Sequence, residues 1–213
     1  MAFYLLSAVR SELRARDWFA GRPEPNLADW LDLVALGTIA DVVKLDQNNR
    51  RLVHEGLRRI RAGRARPGLN ALIEVAGLDR TTLLARDLAF FVAPRLNAAG
   101  RMEDMKVGVD CLLTTGDRAQ ELAAQLDELN QERRDIENNM RDQALQFLEE
   151  VSLDGKKKAG LRVYRDNWHE GVVGIIASRV RERALRPVIA FAPVTAGELK
   201  GSGRSVAGFH MRD

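Results

Sequence analysis

Apolar residues recur at three- and four-residue steps through most of the chain, the spacing of helices with one buried face, and give way to short strand-like runs from Leu161 onward. Phe3 to Arg16 sets Leu5, Leu6, Val9 and Leu13 on one such face and enters without a capping residue, as a helix cut from something longer would. Gly21 to Asn26 is a loop by its glycine and prolines. Asp29 to Leu36 reads as a short helix or a helix running into a strand, followed by Gly37 to Val43, where small and apolar residues surround Asp41. A helix after Asp46 turns Leu52, Leu57 and Ile60 inward, Pro67 and Gly68 break it, and Leu69 to Ala76 forms another. Thr81 and Thr82 stand where a cap belongs, before a helix or extended run from Leu83 to Val92.

Arg95 to Met102 (RLNAAGRM) has the small residues of a loop with tight turns, and Asp110 to Leu113 gives a short helix. Gly116 and Asp117 then open the longest segment, Arg118 to Val151, with Leu122, Leu126, Leu129, Ile136, Met140, Leu145 and Leu148 on one stripe. It suits a strut joining two lobes or one arm of a helical hairpin. Asp154 to Lys158 ends it as a charged linker. Leu161 to Tyr164 and Val188 to Phe191 are strands flanking a glycine-started helix, Gly171 to Arg183, and Glu198 to Val206 is a strand or turn. The fold class expected is α/β, with two lobes and a long connecting helix.

Composition narrows the chemistry. One cysteine, Cys111, excludes zinc-finger, CxxC redox and disulfide-scaffold classes. No apolar run approaches the roughly 18–20 residues that cross a bilayer, and the opening segment turns charged too early for a secretory signal, so a cytoplasmic location with no membrane partner is expected. Net charge is only +3, yet 27 of the 33 basic residues are arginine, whose planar fork suits phosphate oxygens. Seven arginines fall between Arg50 and Arg66 against one acid, Glu55. A solvated helix face and a nucleic-acid contact are both open for this stretch.

Three constellations carry candidate chemistry. Asp41, buried unpaired among Ile39, Ala40, Val42 and Val43, would be costly and should meet a metal ion, an arginine or a helix end. In NWHEGVVG, Gly171 and Gly174 let a strand turn into a helix whose free amides receive an anion, with His169 at the mouth as a donor or as the residue that fixes the turn. In KGSGRS, Gly201 and Gly203 expose amides between Ser202 and Arg204, a phosphate cradle or a flexible hairpin; it is no Walker loop.

Four stretches in order, LVALGTIADVV, PRLNAAGRM, NWHEGVVGIIASRV and KGSGRSVAGFH, resemble the bacterial RecJ family of nucleases in the DHH phosphoesterase superfamily, and the resemblance runs from Phe3 to Asp213. It implies a 5′-to-3′ exonuclease of single-stranded DNA that uses Mn2+ or Mg2+ in recombination and mismatch repair, with DNA-repair proteins as possible partners. It also implies residues 1–115 as the back of a DHH catalytic domain, 116–153 as the connecting helix and 154–213 as the front of a DHHA1 domain, with the active cleft between the two domains. Asp41 falls on a metal-ligand motif and, with His169, on the catalytic residues. Arg95, Asn97 and Arg101 fall on a loop expected to face DNA, and His169, Ser202 and Arg204 on motifs that hold substrate phosphate.

The chain departs from the family in one respect. Its three histidines, His54, His169 and His210, stand in no Asp-His-His sequence, and the earlier aspartate motifs are missing. A metal pair needs several oxygen or imidazole donors. The expectation is therefore a middle portion of a longer enzyme, catalytically incomplete alone, that binds single strands. A DHH phosphodiesterase of short RNA or cyclic dinucleotides, and a non-enzymatic binding module, are the alternatives.

Overall fold

The computed structural model describes residues 1–153, 159–194, 197–209 and 211, without the side chains of 147, 148 and 150–153. The expected linker Asp154–Lys158 and His210 lie outside them, as does the side chain of the stripe position Leu148. The chain is mostly helical with one small sheet, and it divides into two compact units: Met1–Asn97 with Met105–Asp127, and Ala98–Asp104 with Glu128–Asp213.

The first unit is all helix. α1 (Ala2–Ala15) begins with no side-chain cap, but its apolar face is not buried: Leu5, Leu6 and Val9 are exposed, because no element covers that stripe among the described residues. A 3₁₀ turn (Leu27–Trp30) leads into α2 (Leu31–Ala40), which continues through Gly37–Ala40 where a strand was one expectation. α3 (Gln47–Arg61) is capped by the Asp46 carboxylate, which accepts from the Asn49 amide at 2.8 Å, and it buries Val53, Leu57 and Ile60. Gly56 lets α3 lie directly on α2, since a Cβ there would collide with the Leu31 carbonyl. α4 (Pro67–Val75) starts on its proline, where a missing amide costs nothing. Gly68 admits the Cys111 carbonyl of α7 (Met105–Leu113) in the same way.

Between them, α5 (Ala85–Asp87), a π turn (Leu88–Val92) and α6 (Ala93–Met102) run without a break. The cap here is Asp87, whose carboxylate accepts from the Leu84 amide at 2.7 Å, while Thr81 is turned back onto Asp79. The π turn ends two residues before Pro94, whose ring supplies no donor. RLNAAGRM is therefore helix rather than loop: Ala98 and Ala99 are fully buried, so its small residues serve close packing instead of turning the chain.

α8 (Asp117–Leu153) is the long helix expected, and it buries Leu122, Leu126 and Met140 together with Ala119, Ala123 and Ala144. In the second unit β1 (Leu161–Tyr164), α9 (Val173–Ala184) and β2 (Val188–Pro193) make a parallel β-α-β unit, and β3 (Leu199–Arg204) pairs antiparallel with β2. Val163, Val188, Ala190 and Ala192 join Val172, Ile176, Ala177, Val180 and Trp168 in a single apolar cluster. That cluster fixes the turn before α9 and the strand beside it, which together carry the site.

Candidate functional site

The turn from β1 to α9 is held from beneath. Trp168 is buried, and its indole donates to Gln143 Oε1 of α8 at 2.8 Å, so the one polar atom of that side chain has its acceptor. His169 follows, half-buried, and its Nδ1 accepts from the Gly171 amide at 3.1 Å. With Nδ1 used as an acceptor, the neutral ring carries its proton on Nε2. Gly171 is needed for space: a Cβ there would collide with the Arg101 carbonyl at the end of α6, and Arg101 Nη1 reaches the Gly171 carbonyl at 3.4 Å. No side chain caps α9, so Val173 and Gly174 present a helix N-terminus with open amides.

KGSGRS is neither a loop nor a hairpin tip. Lys200 to Arg204 form a regular strand, with Ser202 opposite Ala190 and Gly203 opposite Ile189, and Ser205 follows its end. Alternation along β3 sends Lys200, Ser202 and Arg204 to one side and Gly201 and Gly203 to the other. The glycines make room beneath the strand, Gly201 for the Phe191 ring, 2.7 Å from where a Cβ would be, and Gly203 for Met211. They are packing glycines, which replaces the expected role of exposing amides.

Arg204 is the best-fixed cation. Its Nε donates to Ser178 Oγ of α9 at 2.7 Å, and its Nη1 donates to Ser202 Oγ at 2.9 Å and to the Gly203 carbonyl at 2.8 Å. Its Nη2 lies 3.1 Å from where a Cβ on Gly174 would stand, so Gly174 is what lets the guanidinium reach the start of α9. Lys200 Nζ pairs with Glu170 Oε2 at 2.9 Å. That ammonium holds the Glu170 carboxyl below its ordinary range, chiefly through the hydrogen bond. Around these groups lies a pocket of about 520 Å³, lined by Arg101, Glu103, His169, Glu170, Lys200, Ser202 and Arg204 among others. Three cations, partly offset by Glu103 and Glu170, face one cavity with a hydroxyl and a helix N-terminus, and the donors outnumber the acids enough to suit an anion with several oxygens.

Arg101, His169, Ser202 and Arg204 are thus brought together in the second unit, whereas Asp41, Arg95 and Asn97 belong to the first. Asp41 ends α2 as its C-cap and is exposed, so the argument from burial fails for it. The buried acid of that segment is Asp32, fully enclosed and accepting from the amides of Leu33 and Arg66, each at 2.8 Å. Among the described residues no three of His, Cys, Asp and Glu gather as a metal-binding group. Arg95 is largely buried and tied to Asp127 at 2.8 Å and to the Phe91 carbonyl, while Asn97 is exposed.

The arginine-rich stretch is occupied within the fold. Arg59 pairs with Asp29 at 2.7 Å, Arg58 with Glu55 at 2.6 Å, and Arg61 holds the Leu83 carbonyl at 2.6 Å. Arg50 holds the Leu45 carbonyl at 2.8 Å, and Arg66 lies over the Trp30 ring at 4.2 Å. Sequence reasoning missed Ser178, Glu170 and Lys200 as parts of the site. Ser178 gave no signal beyond lying on the face of a helix, and the other two lie inside motifs already singled out but had been given no role there.

No protein-family model matches the chain. The single-stranded-DNA-specific exonuclease RecJ of Dickeya dadantii is 56% identical over 217 aligned residues, covering 100% of this chain and 38% of that protein. The chain is homologous to RecJ along its whole length. It spans well under half the length of that RecJ. A crystal structure of exonuclease RecJ bound to manganese superposes with a TM-score of 0.77 at 35% identity, over 99% of this chain and 49% of that one. The crystal structure of Thermus thermophilus RecJ in complex with Mg2+ gives 0.72 at 36% identity, over 91% of this chain and 29% of its own. The mixed fold, dominated by helix with a small sheet, is the RecJ fold in this region.

Proposed function

We propose that this chain is the strand-gripping part of a 5′-to-3′ exonuclease that degrades single-stranded DNA, and that the pocket at the start of α9 takes a phosphate of the substrate. The observation that carries the reading is Arg204: two hydroxyls and a backbone carbonyl orient its guanidinium, and Gly174 leaves its Nη2 room at an uncapped helix N-terminus. Homology to RecJ supplies the substrate class. His169 Nε2–H, Arg101, Ser202 and Lys200 add donors and charge from the other walls. These residues bind and orient the strand and offset the charge that grows on phosphoryl oxygens.

Mn2+ or Mg2+, present in the RecJ crystal structures, would supply water activation in the whole protein, with Asp41 as one ligand. The donor set of this chain does not fit a metal pair by itself, because no three of His, Cys, Asp and Glu gather among the described residues, around Asp41 or elsewhere. In the same reading residues 1–115 are the back of the DHH domain, 116–153 the connecting helix and 154–213 the front of DHHA1, and Arg95 and Asn97 lie on the DNA path. The whole protein acts in recombination and mismatch repair in the cytoplasm, with repair proteins as partners.

The test is fluorescence anisotropy of the 213-residue chain with a 5′-phosphorylated oligothymidylate. Arg204→Ala should weaken binding about 10- to 100-fold, the range for losing a charge-assisted hydrogen bond. An unchanged affinity would remove the pocket from the DNA path.

A further inference from the structure

The three cations of the pocket are not equivalent. Arg204 is fixed by Ser178, Ser202 and the Gly203 carbonyl, and Arg101 leans on the Gly171 carbonyl. Lys200 has no such frame. Its side chain is 59% exposed on a flexible four-carbon stem, and the partner that holds it is a neighbouring carboxylate, Glu170, itself 38% exposed. Glu170 and Lys200 both line the cavity, together with Glu103, Arg101, Arg204 and His169.

We infer that Glu170 is an internal competitor for Lys200 and thereby sets which phosphates the pocket accepts, favouring a terminal phosphomonoester over an internal phosphodiester. The inference rests on the reading of the pocket as a phosphate site. To recruit Lys200, an incoming anion must draw the ammonium from a carboxylate of unit charge at hydrogen-bonding distance. A phosphodiester offers one negative charge, so the exchange gains little. A phosphomonoester carries close to two above its second pKa of about 6, and at equal distance the Coulomb attraction scales with that charge. The lysine therefore moves for a strand end and stays with Glu170 for a strand interior. Because the carboxylate and lysine lie at the pocket surface, the effect is modest, on the order of a two- to fivefold discrimination, as for exposed ion pairs in general.

The experiment compares binding of 5′-phosphorylated and 5′-hydroxyl oligothymidylates of equal length at pH 8 to the unaltered chain, Glu170→Gln, Lys200→Met, the double variant and Arg204→Ala. Glu170→Gln should tighten the 5′-hydroxyl strand about two- to fivefold and the phosphorylated strand less, so that the preference for the phosphorylated end narrows. In the Lys200→Met background the same change should have no effect, which separates a competitor acting through Lys200 from a general loss of negative charge. Equal tightening of both strands, or an undiminished effect without Lys200, would overturn the role of Glu170. If Arg204→Ala weakens both strands while Glu170→Gln changes nothing, the phosphate pocket stands and only the inference fails. If Arg204→Ala is silent, both fail together.

Discussion

Two aspartates nine positions apart, Asp32 inside α2 and Asp41 at its end, have opposite environments. Asp32 has no exposure, accepts from two backbone amides, and has the Arg66 guanidinium 3.9 Å away. A buried carboxylate is tolerable only with such partners, and removing it leaves the Arg66 amide without its acceptor. Asp32→Ala should therefore cost roughly 3 kcal/mol in urea unfolding, the scale for breaking one side of a buried pair, and Asp32→Asn less, since it keeps an acceptor oxygen. A loss below about 1 kcal/mol for the alanine variant would contradict this account. Asp41 was legible as chemically unusual from its neighbours, but the same cue failed to say which acid the fold encloses. Ile39, Ala40, Val42 and Val43 surround Asp41 in sequence, while at the helix end its own side chain is left in solvent.

At the level of elements, the site depends on one close approach. Gly171 in the turn before α9 lets the Arg101 carbonyl at the end of α6 lie against it, where a side chain would collide. Gly171→Ala should destabilise the second unit by about 1–3 kcal/mol, the usual cost of overpacking, and weaken DNA binding because Arg101 must retreat. Thermal unfolding followed by far-ultraviolet circular dichroism, with anisotropy on the same samples, checks both effects; an unperturbed variant would mean the turn has slack. Helices with a regular stripe, α3 and α8, were readable from period alone, as were β1 and β2. RLNAAGRM was not. Small residues mark tight turns and tight helix packing equally well, and only the burial of Ala98 and Ala99 separates the two. In α1 the period was right and the burial wrong, since amphipathicity specifies a face without supplying its cover.

For the molecule as a whole, ligand count decides what the chain can do. With Asp41 exposed and no group of three ligands among the described residues, incubation with labelled single strands and Mn2+ should release no nucleotides, while the strands still bind. Processive degradation would show that the chain holds a complete centre. The order of the four motifs carried the resemblance, and the identity to RecJ agrees with it; the ion pair of Glu170 with Lys200 and the brace from Ser178 to Arg204 arise only when β3 is laid beside α9. The arginine-rich stretch has a consequence for behaviour in solution. Five of its seven guanidiniums already have a carboxylate, a carbonyl or an indole ring for company. A polyanion drifting past therefore finds fewer idle guanidinium forks than the composition advertises: Arg58 and Arg59 are offset by carboxylates, while Arg50, Arg61 and Arg66 keep their charge but have donors or a ring face already engaged.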